Sequence, residues 1–252
     1  MASKLAIITG GSRGLGKSAA LKLAQQGVDV ILTYHSNAEA AQAVVDAIEA
    51  MGRRAAALRL DTCAVGSFAE FAHQLRELLA AKWQRADFDF LVNNAGVGIH
   101  APIAATTEEQ LDMLFNIHFK GVFFLTQQLL PLIADGGRIV NVSSGLTRFA
   151  LPGYAAYASM KGAIEVLTKY LAKELGARGI AVNVIAPGAI ETDFGGGTVR
   201  DNAEVNKFIA SQTALGRVGL PDDIGGAIAN LLSDNSGWIN AQRIEASGGM
   251  FI

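Results

Sequence analysis

The loop at residues 9–18, Thr-Gly-Gly-Ser-Arg-Gly-Leu-Gly-Lys-Ser, contains residue types that can bind a phosphate group. Glycines let the backbone approach a phosphate closely, and the N–H groups and dipole of a following helix favour the anion. Two nucleotide-binding patterns overlap here: Gly-x4-Gly-Lys-Ser from Gly11, typical of mononucleotide P-loops, and Gly-x3-Gly-x-Gly from Gly10, a spacing variant of the dinucleotide-binding loop. A tight strand–helix turn without a ligand would show the same residues. The loop by itself leaves these interpretations open.

Farther along the chain, Tyr157 and Lys161 are four residues apart in a predicted helix and therefore share one of its faces. An ordinary exposed helix can carry such a pair, so its position matters. Ser144 ends the preceding predicted strand, at the carboxyl edge where open α/β sheets bind ligands. The segments Asn93-Asn94-Ala95-Gly96 and Pro187-Gly188 end two further strands. The glycine loop, the Tyr–Lys pair and these strand ends are expected to meet in one crevice.

Short β-branched runs alternate with longer helical stretches and must position these residues. The predicted strands are 5–9, 28–33, 55–60, 88–93, 138–143, 181–185 and 242–245. The predicted helices are 14–26, 37–51, 66–82, 154–176 and 221–233, and further helices cover 107–134. Strict alternation implies parallel strands joined by helical crossovers. The sequence therefore predicts an α/β fold with a doubly wound, Rossmann-type parallel sheet of about seven strands and helices on both faces. The length of 252 residues predicts one domain, 1–252.

Composition excludes several classes of protein. Half of the residues are hydrophobic and 17% are charged, which excludes intrinsic disorder. The net charge of −2, without a block of Lys and Arg, argues against a nucleic-acid partner. Apolar runs are too short to span a membrane, and Cys63 has no second cysteine with which to form an intrachain disulfide. We expect a cytoplasmic protein without a signal peptide, and we predict no metal site.

Taken together, the motifs resemble those of the short-chain dehydrogenase/reductase family over nearly the whole chain. The resemblance rests on the glycine loop, Asp61, Asn93–Gly96, Ser144 thirteen residues before Tyr157, Lys161, and Pro187-Gly188. It implies an NAD(P)-dependent oxidoreductase in which Tyr157 protonates the carbonyl oxygen as hydride arrives. Because a free tyrosine, with a pKa of about 10, is a poor proton donor at neutral pH, Lys161 is expected to lower the Tyr157 pKa. The resemblance also implies that Lys161 holds the nicotinamide ribose and that Ser144 hydrogen-bonds the substrate oxygen.

His118 occupies a position at which many family members have a catalytic asparagine. In those members the asparagine positions a water that passes protons to the lysine. A histidine can also hold water and, unlike asparagine, can titrate near pH 6.5. We therefore include His118 among the catalytic residues, in a proton relay; the alternative is that it is a packed side chain.

The predicted cofactor is NADPH, and NADH is disfavoured. Folds that select NAD usually have an acidic residue at the end of the second strand, where this chain has Tyr34, His35 and Ser36. Arg13 is expected to bind the 2′-phosphate, although a solvated loop charge is the alternative, and the resemblance places Asp61 near the adenine. The full predicted cofactor set is Gly10, Ser12, Arg13, Gly14, Leu15, Gly16, Tyr34, His35, Ser36, Asp61, Thr62, Asn93, Ala95, Gly96, Tyr157, Lys161, Pro187, Gly188, Ile190 and Thr192.

The predicted substrate pocket is apolar and consists of Val97, Leu146, Phe149, Tyr154 and Phe194. No Arg or Lys is evidently placed for a substrate carboxylate, although Arg148 could swing in. The apolar pocket favours a carbonyl reductase for a ketone or aldehyde with an apolar arm. The chain end at 247–252 is similar to that of 3-oxoacyl-carrier-protein reductases, the first alternative, but residues 132–137 lack the basic side chains that would dock an acidic carrier. Sugar or polyol dehydrogenase, a P-loop phosphotransferase and a non-catalytic nucleotide sensor are further alternatives.

Two features concern motion and assembly. The glycines at 195–197 are either a flexible loop or the hinge of a substrate lid, predicted around 189–215. The helices at 118–133 and 154–176 are apolar over much of their surface. They are expected to form a homodimer or, by the family resemblance, a homotetramer.

Overall fold

The computed structural model describes residues 3–252, so Met1 and Ala2 of the predicted domain lie outside the described residues. Seven strands are found in the described chain: β1 Leu5–Ile8, β2 Asp29–Tyr34, β3 Ala55–Arg59, β4 Phe88–Asn93, β5 Ile133–Val142, β6 Ala181–Pro187 and β7 Arg243–Ala246. They form one parallel sheet in the order β3-β2-β1-β4-β5-β6-β7. The predicted doubly wound α/β sheet is thus confirmed. The order in which the chain adds strands switches from one side of the sheet to the other between β1 and β4, and such folds bind their ligands at this point.

Helices cover both faces of this sheet. They are α1 Gly14–Gln25, α2 Ala38–Ala50, α3 Phe68–Leu78, α4 Glu108–Phe115, α5 Gly121–Leu129, α6 Ala155–Leu175, α7 Thr198–Asp201, α8 Ala203–Ser211 and α9 Pro221–Leu232. Alternate residues of β1 explain the two layers, because neighbouring side chains of a strand point to opposite faces. Ile8 packs into the core under α1, α2 and α9, whereas Ile7 packs into the core under α3, α5 and α6.

Two features of the region 107–134, where helices are predicted, are not part of that prediction. A π-helical turn at Asn116–Lys120 separates α4 from α5, and β5 begins at Ile133, five residues before the predicted strand start at 138. Gly121 directly follows the π-helical turn and approaches a distant segment closely, since an added Cβ there would lie 2.2 Å from the Thr62 carbonyl oxygen. The early start of β5 accompanies a register shift between β4 and β5. Neither feature is visible in the hydrophobic periodicity.

Two short helices, α7 and α8, occupy the predicted lid region, where only a flexible loop or a hinge is predicted. Within residues 3–252, no helix combines the length and the apolar character required to cross a membrane. The same residues contain no cluster of three or more His, Cys, Asp or Glu side chains that could hold a metal ion.

Candidate active site

A cavity of about 860 Å³ lies at the carboxyl ends of the central strands. All of the predicted site residues line it except Gly16 and Asn93. An added Cβ at Gly16 would lie 2.3 Å from the Gly10 carbonyl oxygen, and Asn93 is buried with its amide donating to Thr126 and Asn141. These two residues therefore shape the loop and the sheet from behind, and their direct role in cofactor binding stays a prediction.

The glycine loop is fixed to the end of β4. Gly10 and Gly14 have φ angles of +65° and +54°, which favour glycine. The Asn94 amide donates to the Thr9 and Gly10 carbonyls at 2.9 and 3.1 Å, and the Thr9 hydroxyl accepts from the Ala95 N–H at 3.0 Å. The loop is thus preorganised with its backbone facing the cavity, as a bound phosphate requires.

The mononucleotide P-loop interpretation fails on geometry. The Ser18 hydroxyl, which would hold a metal ion in a P-loop, is buried and donates to Asp222 of α9 at 2.7 Å. Neither Lys17 nor Ser18 lines the cavity. The loop is therefore arranged for a dinucleotide and not for a mononucleotide with its metal ion.

Tyr157 and Lys161 are both buried on the face of α6 that meets the cavity. The Lys161 Nζ donates to the Val142 carbonyl at 2.8 Å and lies 5.6 Å from the centroid of the Tyr157 ring. Ser144 lies near enough to Tyr157 to oppose the rise of its pKa, and the Ser144 hydroxyl accepts from the Leu146 N–H at 3.2 Å. Three side chains able to donate a proton or a hydrogen bond thus converge at one end of the cavity.

Burial shifts the pKa values of both members of the pair. It raises the pKa of Tyr157, and the nearby Ser144 side chain only partly opposes this. Burial also lowers the pKa of Lys161 to about 7. In the protein without cofactor, burial is thus the largest influence on the Tyr157 pKa, and the lowering of that pKa by Lys161 stays a prediction.

His118 lies in the π-helical turn and is 1% exposed, with its ring edge-on to that of Tyr157 at 5.1 Å. Its Nε2 is 2.7 Å from the Val97 carbonyl and 3.3 Å from the Val97 N–H. The shorter contact indicates that Nε2 carries the proton and donates to the carbonyl. Nδ1 is then an acceptor, and it is buried without a partner among residues 3–252.

Burial, together with the nearby charge of Lys161, lowers the pKa of His118 well below 6.5. The expectation that His118 titrates near that value is therefore wrong, since the imidazole is neutral at neutral pH. Its side chain nevertheless lies beside the Tyr–Lys pair. A relay through the neutral ring stays a prediction.

The other end of the cavity carries the residues predicted to select the cofactor. Tyr34, His35 and Ser36 all line it, together with Arg13 and Asp61. His35 Nε2 lies 3.7 Å from Asp61 Oδ2, and the Arg13 guanidinium lies 3.7 Å from Asp193. Of these groups, only Arg13 carries a permanent positive charge.

The substrate end of the cavity is largely apolar, as predicted, and has two aromatic contacts at its edge. Phe194 packs against Tyr157 with ring centroids 5.6 Å apart, and Phe149 packs against Phe251 at 4.8 Å. Phe194 can take this place only because residue 98 is glycine, since an added Cβ there would lie 2.6 Å from its Cε1. The apolar lining residues that were not predicted include Met113, Ile117, Leu151, Val199, Ile209 and Met250. Only Met113 and Ile117 had a local signal, their helical spacing just before His118.

Arg148 does not line the cavity, and its guanidinium pairs with Glu245 at 2.6 Å. The suggestion that it reaches a substrate carboxylate is therefore wrong. The glycines at 195–197 have φ angles of +61°, +77° and +77° and connect Phe194 to α7. They form a tight turn, which is compatible with either a rigid or a hinged connection.

A family model described as Enoyl-(Acyl carrier protein) reductase matches residues 10–251. The chain is 36% identical to the hydroxynaphthalene reductase-like protein Arp2 of Metarhizium brunneum, over 99% of this chain and 95% of that protein. Among solved structures, the promiscuous reductase LugOII, which catalyses keto-reduction at C1 during lugdunomycin biosynthesis, superposes with a TM-score of 0.93 at 39% identity, covering 99% and 98% of the two chains. The angucycline C-6 ketoreductase LanV with bound NADP also gives 0.93, at 35% identity and 98% and 95% coverage.

Proposed function

Since the chain belongs to the short-chain dehydrogenase/reductase family of oxidoreductases, we propose that it is an NADPH-dependent reductase of ketones attached to an apolar, aromatic ring system. The observation that carries the proposal is the convergence of Ser144, Tyr157 and Lys161 on a cavity whose substrate end is apolar. The ketoreductase relatives support the reaction, and the hydroxynaphthalene reductase-like relative supports an aromatic substrate.

Tyr157 is the proton donor in the proposed reaction. Because burial raises its pKa, the phenol is protonated at neutral pH and can donate to a carbonyl oxygen placed beside it. Ser144 orients that oxygen by a hydrogen bond and stabilises the charge that develops on it. The ammonium form of Lys161 stabilises the phenolate that remains after proton transfer. NADPH, when bound, supplies the hydride.

The cavity fits a dinucleotide through its backbone. The left-handed φ of Gly10 and Gly14 turns the loop toward the cavity, and Gly188 lies so close to Ser247 that an added Cβ would be 2.9 Å from its Cα. Close backbone approach is what a pyrophosphate and a nicotinamide require. Thr62, Ala95 and Ile190 contribute to the same lining.

NADPH is proposed over NADH because the end of β2 lacks a carboxylate. A 2′-phosphate beside Tyr34 would meet the Arg13 guanidinium and the donors of His35 and Ser36. The LanV structure with bound NADP supports this choice.

Two alternative substrate classes are less well supported. Docking of an acidic acyl carrier requires available basic side chains, yet Arg178 is held by Asp135 at 2.7 Å and by the Leu130 carbonyl at 2.9 Å. A sugar or polyol would need several polar partners at the substrate end of the cavity. The six unpredicted lining residues named above are all apolar. We keep the aromatic ketone as the proposed substrate class.

We further propose one catalytic domain, a lid around 189–215, and self-association through the helices at 118–133 and 154–176. Four exposed apolar side chains on α5 and α6 support self-association: Phe123, Phe124, Val166 and Tyr170. Dimer and tetramer are both compatible with these residues. A cytoplasmic location stays a prediction.

A panel of aromatic and aliphatic ketones, followed by NADPH absorbance at 340 nm, tests the proposed function. We expect turnover of bicyclic aromatic ketones such as 2-tetralone, with a higher kcat/KM for NADPH than for NADH. Equal or better efficiency with NADH would contradict the cofactor assignment. No turnover with any ketone would contradict the reaction itself.

A further inference from the structure

The Arg148 guanidinium joins the catalytic strand end to the C-terminus of the chain. It forms a two-pronged pair with the Glu245 carboxylate at 2.6 and 2.7 Å. It also donates to the backbone carbonyls of Met250 and Phe251, the latter at 3.0 Å, while it stacks 5.3 Å from the Phe149 ring centroid. Such simultaneous contacts need the planar fork of donors that arginine has and lysine lacks.

The carbonyls that Arg148 holds belong to a segment that supports the predicted lid. The Ala214 N–H donates to the Gly249 carbonyl at 3.2 Å, and the Leu215 N–H donates to that of Gly248 at 3.1 Å. The Phe251 N–H donates in return to the Gln212 carbonyl at 2.9 Å. The C-terminal segment 248–251 and residues 212–215, which directly follow α8, are thus hydrogen-bonded to each other.

Side chains of the lid helices and of the C-terminal segment, with two neighbouring residues, form a third hydrophobic core, separate from the two cores that flank the sheet. Its buried members are Ile209, Val218 and Met250, and Val199, Val205, Phe149 and Phe251 pack around them. Met250 is 3% exposed and also lines the cavity. The inner side of the lid therefore rests on the C-terminal segment, and that segment provides part of the cavity wall.

The ion pair that holds this segment also extends toward the catalytic residues. Glu245 accepts from Arg243 at 3.0 Å, and Arg243 donates to Glu165 at 2.8 Å. Glu165 in turn accepts from the hydroxyl of Ser143, the residue before Ser144, at 2.7 Å. A continuous hydrogen-bonded network thus links the strand end that carries Ser144 to the segment that carries Met250.

We propose that Arg148 is a positioning residue: it fixes the C-terminal segment 248–251 under the lid, and so determines the shape of the substrate end of the cavity. Its effect on a ketone substrate rests on the proposed function. Its effect on the lid and the C-terminal segment does not, and can be measured without turnover.

Amide hydrogen exchange of Arg148→Gln tests the positioning directly. Loss of the guanidinium removes a charge-assisted pair and two bonds to carbonyls. The amides of 212–215 and 248–251 are therefore expected to exchange at least about tenfold faster than in the wild type. Arg148→Lys keeps the positive charge but lacks the planar fork of donors, so an intermediate increase in the exchange rate is expected. This second variant keeps the test valid if the glutamine variant misfolds.

Arg178→Gln is the matched control. Arg178 also pairs with a carboxylate, Asp135, and donates to backbone carbonyls, but at the opposite end of the sheet. Its loss is expected to leave exchange at 212–215 and 248–251 within twofold of the wild type. Exchange in Arg148→Gln and Arg148→Lys that matches this control would overturn the proposal, whatever the activity of the protein.

The kinetic consequence is a separation of KM from kcat. With 2-tetralone as the probe, Arg148→Gln is expected to raise KM about tenfold, while kcat and the Kd of NADPH stay within about twofold. If Arg148 only stabilised the fold, its substitution would lower the fraction of active protein, and therefore the apparent kcat, without changing KM. That result would also overturn the proposal. If the wild type reduced no ketone, the proposed function would fail and hydrogen exchange alone would decide the role of Arg148.

Discussion

Lys161 should make the protein without cofactor more stable as the pH rises from 7 to 9. Burial lowers its pKa to about 7 in the folded protein, from an ordinary value of 10.5. Between these two values the unfolded chain binds the proton and the folded protein does not, so a rise in pH favours the folded state. The stabilisation is fully present at high pH and is lost as the pH falls toward 7.

The size of the effect follows from the same two values. The slope approaches 1.4 kcal/mol per pH unit, but at pH 7 Lys161 is still about half protonated in the folded protein. The sum over the interval from pH 7 to 9 is therefore about 2 kcal/mol. For a chain of this size, this corresponds to a rise in Tm of roughly 4–8 °C.

Chemical unfolding of the wild type and of Lys161→Met, at pH 7 and at pH 9 and at one protein concentration, isolates this contribution. The contributions of other titrating groups cancel in the difference between the two proteins. Between pH 7 and pH 9, the free energy of unfolding of the wild type is expected to rise by about 2 kcal/mol relative to that of the variant. Lys169→Met is the control, because Lys169 is exposed on the same helix and its ammonium is in water in both states. If the difference in unfolding free energy between the wild type and Lys161→Met were the same at pH 7 and at pH 9, the prediction would be refuted. Lys161 would then remain charged in the folded protein.

Three further outcomes are expected. His118→Asn should give a kcat/KM profile between pH 6 and 8 that has the same shape as the wild type, because the pKa of His118 lies well below 6.5. Arg13→Gln should lower kcat/KM about 10- to 100-fold with NADPH and leave it unchanged with NADH, because only the phosphorylated cofactor loses a charge-assisted partner. Gly98→Ala should raise the KM for 2-tetralone several-fold, because its Cβ would lie 2.6 Å from Cε1 of Phe194 and displace that ring from Tyr157.

Each of these outcomes has a clear contradiction. A titration step near pH 6.5 that the wild type shows and His118→Asn lacks would establish a protonated imidazole. Equal losses with both cofactors would remove Arg13 from cofactor selection. If Phe194→Ala raised KM as much in the Gly98→Ala protein as in the wild type, the two residues would act independently.

Local patterns were sufficient to predict the sheet and most of the cavity lining. Short apolar runs gave all seven strands, and side chains at their carboxyl ends must meet because the strands are parallel. Tyr157 and Lys161 share a helix face by spacing alone. These features depend on residues that are neighbours in sequence or on one rule of topology, and the sequence contains both kinds of information.

Features that depend on packing between distant segments were not predictable. Met250 enters the cavity because the last residues of the chain pack against α8, a contact over some forty residues of sequence. The π-helical turn around His118 lies next to Gly121, which approaches Thr62, a residue distant in sequence. The upward shift of the Tyr157 pKa was also not predicted, because it is caused by burial and the extent of burial is set by tertiary structure.

The most direct test of the account is the rate of NADPH oxidation at 340 nm with 2-tetralone, compared between the wild type and Tyr157→Phe. The substitution removes one hydroxyl from a buried ring and leaves the cavity wall in place. If Tyr157 is the proton donor, turnover should fall at least about 100-fold while NADPH still binds. Turnover that survives in Tyr157→Phe at the wild-type rate would contradict the central claim.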